Sequence, residues 1–204
     1  MSRWDNRSVN TFKRDIKFGT QLETYFFREW IDQNLDNPHL QITDWSNNGC
    51  DNNGDFISTG STFGADYKIT GIMNYIDMPR KKEMVDWPVE VKWVPTAGKL
   101  TLKEADLKAY AKENASILFI YNTGKANLRK PKDYNLDTHI QRIESNAKDI
   151  RWGMMWRDSV KKFYRECKRG QVFKPISYMG NKSGVVIESK NFKWHFGEHK
   201  WKTK

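Results

Sequence analysis

The chain has 204 residues, with 35 Lys and Arg against 25 Asp and Glu, so its formal net charge is +10. A positive excess of this size indicates an anionic partner, with nucleic acid ahead of a membrane surface, while an aromatic content of 14% excludes a disordered basic tail. The length suits one domain with at most a small appendage, and the two isolated cysteines, Cys50 and Cys167, exclude a multi-bridge framework and a four-cysteine zinc site.

The sequence shows none of the features typical of a secreted or membrane protein. Its first residues lack an apolar segment, and no uncharged apolar run approaches the roughly 18 residues that a membrane span needs. Neither cysteine belongs to a C-x-x-C pair, which favours a reducing compartment. We therefore expect a soluble, cytoplasmic protein with no membrane partner.

The first elements along the chain are a helix and a loop. Apolar side chains recur at helical spacing over residues 11–35, which predicts an amphipathic helix that is broken or kinked near Gly19. Residues 37–64 hold Pro38, four glycines and many Asn, Asp and Ser side chains. This composition is typical of a loop or a short hairpin.

A pattern of strand, strand, helix and strand follows. The β-prone runs predict strands at residues 65–70, 89–94 and 116–121, and the third has the composition of a fully buried strand. Residues 100–114 are predicted to be helical, with Thr101 and Glu104 in the arrangement of a capping box.

The carboxyl-terminal part is predicted to be a basic extension. Residues 137–168 read mostly as helix, interrupted or loosened near Gly153, and the last thirty residues are typical of a β-hairpin or meander. Residues 157–204 contain thirteen basic and four acidic side chains, so most of the net charge lies there. We divide the chain into a core, residues 1–130, and a basic extension, residues 131–204, packed on or continuous with the core and contributing to nucleic-acid binding.

The most informative residues are Asp66 and, after 23 intervening residues, the run Glu90-Val91-Lys92. Side chains alternate along a strand, so Glu90 and Lys92 point to one face and Val91 to the other. Two charged side chains on a strand with apolar flanks are costly unless a metal or a charge partner compensates them. The pattern therefore predicts a functional site.

Phosphodiester hydrolysis gives this combination a chemical reason. Carboxylates from neighbouring strands, here Asp66 and Glu90, can hold a divalent cation that lowers the pKa of a water and neutralises charge in the transition state. Lys92 can orient the attacking water or stabilise the charged phosphate. Hard oxygen ligands favour Mg²⁺ over Zn²⁺, with Mn²⁺ as its expected substitute.

At these residues the chain resembles the PD-(D/E)xK nuclease superfamily, in which an acid at the end of one strand and an E-x-K on the next form the metal site. The resemblance covers roughly residues 19–121. Gly19-Thr20-Gln21-Leu22-Glu23 looks like the segment that carries a further glutamate on the helix before the sheet, as in archaeal-type resolvases and related phage nucleases. Glu23 is thereby implied as a third acid that assists the metal or the water.

The same resemblance implies the fold class and the assembly. We expect an α/β protein with a restriction-endonuclease-like core, a central mixed sheet flanked by helices, and a helical and β C-terminal extension. Nucleases of this type often act as homodimers, which implies two sites for two strands. Ala65 stands where the family name has proline, and the long spacer requires a hairpin extension with a basic tip at residues 80–82.

Three other acids compete with Asp66 for the first-strand position. Asp55 is the main rival, and Asp77 and Asp86 are weaker ones inside the spacer. We favour Asp66 because β-prone residues follow it directly.

Basic side chains supply candidate contacts to phosphates. Lys108 and Lys112 lie at i, i+4 spacing on the helix after the E-x-K strand, where a solvated face balanced by nearby acids is an equal alternative. The extension adds a larger set, namely Lys161, Lys162, Arg165, Lys168 and Arg169. Such contacts give affinity without sequence information.

The primary hypothesis is a Mg²⁺-dependent DNA endonuclease, with the Asn-rich loops and the Lys bias indicating an AT-rich genome such as that of a phage. One alternative is a non-catalytic, basic nucleic-acid-binding protein. Another is an exonuclease or an RNA-directed nuclease of the same fold. Cleavage of circular against linear DNA, and competition between DNA and RNA, distinguish these hypotheses.

Overall fold

A computed structural model describes residues 9–35, 40–47, 65–74, 82–177 and 180–202 of the chain. The helices in this part are α1 (Val9–Gln33), α2 (Glu104–Glu113), α3 (Leu136–Glu144), α4 (Arg157–Arg169) and α5 (Phe192–Phe196). The strands are β1 (Leu40–Asn47), β2 (Tyr67–Asn74), β3 (Lys82–Val94), β4 (Lys99–Lys103), β5 (Ser116–Asn122), β6 (Ile150–Met155), β7 (Lys174–Ile176), β8 (Lys182–Glu188) and β9 (His199–Lys200). The fold is α/β.

The main sheet is mixed and has the strand order β1-β2-β3-β5-β6-β9. Its first three strands form an antiparallel meander, β3 and β5 run parallel, and β6 and β9 continue antiparallel. A parallel neighbour needs a crossover connection, and β4 with α2 provides it between β3 and β5. A second, three-stranded sheet has the order β4-β8-β7.

Helices cover both faces of the main sheet, which explains the uninterrupted apolar run of β5. Leu118 and Ile120 face α1 and join one core cluster, whereas Ile117 and Phe119 face α2 and α4 and join a second. All seven residues of β5 are buried. The predicted buried strand at residues 116–121 is therefore confirmed.

The long helix α1 packs on one face through side chains spaced three and four residues apart. Phe26, Phe27 and Trp30 are at most 1% exposed and lie against Val89 and Val91 of β3. The helix continues through Gly19 without interruption, so the predicted break there is wrong. Helix α1 therefore covers one side of β3, and Glu90 and Lys92 lie on the other side.

Four further element predictions need correction. The predicted loop at 37–64 contains β1. The predicted helix at 100–114 begins with β4, and Thr101 pairs with Val186 in the second sheet instead of capping α2. The predicted helix at 137–168 contains β6 of the main sheet. Finally, Phe192–Phe196 is a short helix within the predicted meander.

The spacer between Asp66 and Glu90 forms the expected hairpin. Strands β2 and β3 pair antiparallel from Tyr67 with Val89 to Asn74 with Lys82. Of the predicted basic tip, Arg80 and Lys81 lie outside the described residues. In the described part, no helix has both the length and the apolar character needed to cross a membrane.

Candidate active site

The β2–β3 hairpin brings Asp66 to the level of Glu90. Asp66 directly precedes β2, whose first residue, Tyr67, pairs with Val89. In an antiparallel ladder the next step outward sets residue 66 beside residue 90. The alternation of β3 places Glu90 and Lys92 on the face covered by α2, because Val89 and Val91 face α1.

Glu90 is a buried carboxylate with one charged partner. Its side chain is 4% exposed, and its Oε1 accepts a hydrogen bond from the Lys92 ammonium. Among the described residues, the other oxygen, Oε2, has no hydrogen-bond donor, although solvent does not reach it. Because a buried acceptor without a donor costs free energy, this oxygen is the natural place for a further cation or proton.

Helix α1 brings Glu23 to the same cluster. The residues that follow Glu23 and Asp66 are hydrogen bonded, with 2.8 Å between Thr24 Oγ1 and the Tyr67 hydroxyl. One turn along the helix, the ring of Phe27 stacks on Tyr67 at a centroid distance of 4.1 Å. The half-buried Glu23 is therefore close enough for its charge to act on both Asp66 and Lys92.

The carboxyl of Asp66 is held in its protonated form by its surroundings. Burial, together with the negative charges of Glu90 and Glu23, raises the pKa of Asp66 to about 9, against the smaller opposing effect of Lys92. With a proton, Asp66 becomes a hydrogen-bond donor to Glu90. In the absence of a cation, the carboxyls of Asp66 and Glu90 can thus lie side by side because Asp66 keeps its proton.

Lys92 keeps its charge in this environment. Burial alone lowers the pKa of Lys92, but Glu90 and other nearby acids raise it by more, so that it lies well above its usual value. The ammonium Nζ also lies 5.9 Å from the ring centroid of Tyr110 on α2. A permanently protonated lysine can donate hydrogen bonds to a phosphate but cannot act as a base.

Two residues of α2 that the sequence analysis did not assign to the site contact it. Tyr110 is 5% exposed beside Lys92 and Glu90. Three residues later, Glu113 accepts a hydrogen bond from the Ala65 backbone N–H, with 3.3 Å between N and Oε2. Both side chains lie on the same inward-facing helical stripe as Leu107, and this spacing was the signal for them in the sequence, where Glu113 is also one of the acids that balance the nearby lysines.

The residues present fit a hard divalent cation. Asp66, Glu90 and Glu23 supply carboxylate oxygens, the ligands that Mg²⁺ prefers, and Glu90 has a buried oxygen without a donor among the described residues. In the described part of the chain, no group of three or more His, Cys, Asp or Glu side chains is already gathered around one point. A cation would therefore have to replace the Asp66 proton and draw the carboxylates together.

Of the rival acids, only Asp86 lies within the described residues, and it does not join this cluster. Asp86 is exposed on β3 and forms an ion pair with Lys68, with 2.6 Å between Oδ2 and Nζ. Asp55 and Asp77 lie outside the described residues.

The predicted phosphate contacts lie on outward-facing sides of two helices, α2 and α4. Lys108 and Lys112 point outward from α2, whereas Leu107 and Tyr110 point inward. Helix α4 packs through Val160 and Cys167 in the same core cluster as α2. Of the five predicted contacts on this helix, Lys161 is half-buried and the other four are exposed, namely Lys162, Arg165, Lys168 and Arg169.

The chain matches no protein-family model, no curated protein and no solved structure. The interpretation of the site therefore depends on its own geometry and chemistry.

Proposed function

We propose that this protein is a Mg²⁺-dependent DNA endonuclease with a restriction-endonuclease-like core. The observation that supports this most strongly is the juxtaposition of Asp66, Glu90 and Lys92 from separate parts of the chain in one largely buried cluster. A surface ion pair would account for Glu90 and Lys92 by themselves, but it does not account for the carboxyl of Asp66 beside them. The order of helix, three-stranded meander, crossover helix and parallel strand also agrees with the PD-(D/E)xK family.

Each residue of the cluster has a distinct role in this proposal. Asp66 and Glu90 bind Mg²⁺ through carboxylate oxygens, and Glu23 supports the metal or a water from α1. When bound, Mg²⁺ acts as a Lewis acid toward the phosphate and lowers the pKa of a water molecule. Lys92 donates hydrogen bonds to the scissile phosphate and stabilises the charge that grows on it in the transition state.

The basic face of α4 holds the substrate. Its six Lys and Arg residues outnumber its two acids, and this face lies on the side of the main sheet that carries Glu90 and Lys92. Phosphate contacts from such a face position the DNA without reading its sequence.

The decisive experiment is incubation of supercoiled plasmid with the protein in Mg²⁺, in Mn²⁺ and in EDTA. We expect nicked or linear product with either metal and none with EDTA. Glu90→Gln should lose cleavage, whereas Asp86→Asn, a matched change of an exposed carboxylate on the same strand, should retain it. Binding to DNA in EDTA shows that each variant is folded.

A non-catalytic DNA-binding protein is the second candidate, favoured by the absence of a preassembled three-ligand group among the described residues. It predicts binding that weakens with salt and no cleavage with any divalent cation. An endonuclease cuts the circular plasmid, whereas an exonuclease requires a linear end.

Glu113 is expected to act as a positioning residue for Asp66. Removing its carboxylate in Glu113→Ala frees the Ala65 N–H and lets Asp66 shift, and a misplacement of about 1 Å can cost up to about a hundredfold in rate. We expect kcat for cleavage to fall about tenfold or more with KM for DNA unchanged, and Glu113→Gln, which keeps an acceptor oxygen, to stay within about threefold of wild type. Equal losses in both variants would contradict this role.

A further inference from the structure

A second basic surface lies on the other side of the main sheet from α4. It consists of two residues of α1 and four of the connection between β5 and α3, namely Arg14, Lys17, Lys125, Arg129, Lys130 and Lys132, and we call it the loop surface. All six side chains are exposed. Residues 123–135, which form this connection, contain four basic residues and one acidic residue, Asp133.

The loop surface is held rigidly by contacts beneath it. Leu128 is fully buried in the core cluster that contains α1, and its N–H donates to the Pro95 carbonyl at 3.2 Å. The Arg142 guanidinium donates to the carbonyls of Asn127 at 2.8 Å and Arg129 at 3.0 Å. The connection therefore has a fixed backbone, although it lies at the surface and contains no regular secondary structure.

A second anchor joins the connection to α1. The Tyr134 hydroxyl and the Lys130 ammonium both contact Asp15 of α1, and the Tyr134 ring lies 4.3 Å from the Arg14 guanidinium and 4.3 Å from the Lys130 ammonium. Tyr134 has φ of 57°, a left-handed conformation that costs free energy for a bulky residue. The anchor fixes the cations of the loop beside those of the helix.

The charges of the loop surface are largely uncompensated. Within the described residues, no acidic oxygen lies within 4.0 Å of a charged nitrogen of Lys17, Lys125, Arg129 or Lys132. The lysines of α2, by contrast, alternate with Glu104, Asp106 and Glu113. Clustered cations of one sign repel each other in the free protein, and an anionic partner relieves that repulsion.

The loop surface lies at the end of the sheet where the candidate active site is found. Glu90 and Lys92 belong to the last five residues of β3, and Pro95, which accepts the Leu128 hydrogen bond, follows directly. Three residues of extended chain, from Lys92 to Pro95, span about 10 Å.

We propose that the loop surface binds the phosphate backbone of duplex DNA that extends away from the candidate active site. This inference deepens the proposed function by adding a contact surface on the α1 side of the sheet to the one on α4. The binding itself requires no cleavage and no metal, so the two ideas can fail separately.

The experiment compares two double variants of equal charge change in the full chain. Arg129→Gln/Lys132→Gln removes two cations of the loop surface, and Lys182→Gln/Lys190→Gln removes two exposed cations of the second sheet and of the turn that follows it. Affinity for a 30-base-pair duplex is measured in EDTA over a series of salt concentrations. We expect the slope of log K against log salt to fall by about 1 to 2 in the loop variant, which corresponds to about one lost contact per residue, and to change little in the control.

The outcomes separate the two proposals. A reduced slope in the loop variant supports the surface whether or not the plasmid is cut. Equal slopes in wild type, loop variant and control would overturn the loop surface even if the protein cleaves DNA, and tighter binding to RNA than to DNA would overturn its assignment to duplex DNA.

Discussion

Replacing Lys92 with alanine is expected to destabilise the fold by about 3–5 kcal/mol, because it leaves the Glu90 carboxylate buried without its cation. The Glu90 side chain is 4% exposed and that of Lys92 28%, so water cannot replace the lost partner fully. The same change removes a donor to the phosphate, for which we expect a loss of about 10²–10³ in the cleavage rate. Urea unfolding measures the first effect and plasmid cleavage the second.

Two matched variants test whether burial causes the instability. Lys68→Ala breaks an ion pair in the same sheet whose side chains are 44% and 51% exposed, and it should cost at most about 1 kcal/mol. The double variant Glu90→Leu/Lys92→Met removes both charges, so it should recover most of the stability lost by Lys92→Ala while remaining inactive. If Lys92→Ala were as stable as Lys68→Ala, the cluster would be more hydrated than its geometry indicates.

The sequence was most informative where one local rule determined the structure. Alternation along residues 89–92 predicted correctly that Glu90 and Lys92 share a face. Val89 and Val91 must face the core, and a shift of one residue in the pairing would exchange the two faces. The resemblance and the long spacer together required a hairpin, and that hairpin is what sets Asp66 beside Glu90. The helical periodicity of residues 11–35 was equally clear, since it arises from one wide apolar stripe.

The errors occurred where a tertiary partner decided the local structure. Leu100 and Leu102 alternate with exposed or half-buried neighbours because β4 pairs with β8, which is more than 80 residues away in the chain. The capping-box pattern of Thr101 and Glu104 outweighed this alternation in the prediction, because the partner strand β8 cannot be recognised from the local sequence. Likewise, Ile150–Met155 is a strand because β5 offers it an open edge, although its composition of Trp, Gly and Met has no strong strand signal.

Part of the candidate site could not be derived from sequence for the same reason. Tyr110 and Glu113 contact the cluster only because the crossover places α2 over the face of β3 that bears Glu90. Their spacing shows that they share a helical face, but not that this face meets Asp66. The loop surface could not be predicted because its cations come from two separate segments of the chain, which only the fold brings together. The count of charged residues along the sequence pointed instead to the C-terminal part.

The effect of pH follows from the carboxyl of Asp66. Its pKa of about 9 in the folded protein lies far above the value of about 3.9 in an unfolded chain. Between these values the folded protein keeps a proton that the unfolded chain has lost, so the free energy of unfolding falls as pH rises from about 4 to about 9. Asp66 therefore destabilises the metal-free protein at neutral and alkaline pH.

Asp66→Asn is thus expected to raise thermal stability in EDTA at pH 8 and to flatten its decline with pH, because the amide has no proton to lose. The same substitution removes a carboxylate ligand, for which we expect a loss of about 10³ in Mg²⁺-dependent cleavage, equivalent to several kcal/mol of transition-state stabilisation. Thermal melts from pH 5 to pH 9 and plasmid cleavage measure the two effects. Asp86→Asn, at an exposed position farther along the same strand, is the matched control: it should leave cleavage unchanged and stability within about 1 kcal/mol.

The two effects have opposite signs, and that is what makes the test specific. If Asp66 served packing or an ion pair, Asp66→Asn would lower the stability of the protein. If Asp66 is a ligand of a cation, Asp66→Asn raises the stability of the metal-free protein and lowers its activity. In wild type, Mg²⁺ competes with the Asp66 proton, so added Mg²⁺ should stabilise the protein more at pH 8 than at pH 6. Asp66→Asn should abolish most of that difference, and an unchanged Mg²⁺ effect in this variant would place the cation elsewhere.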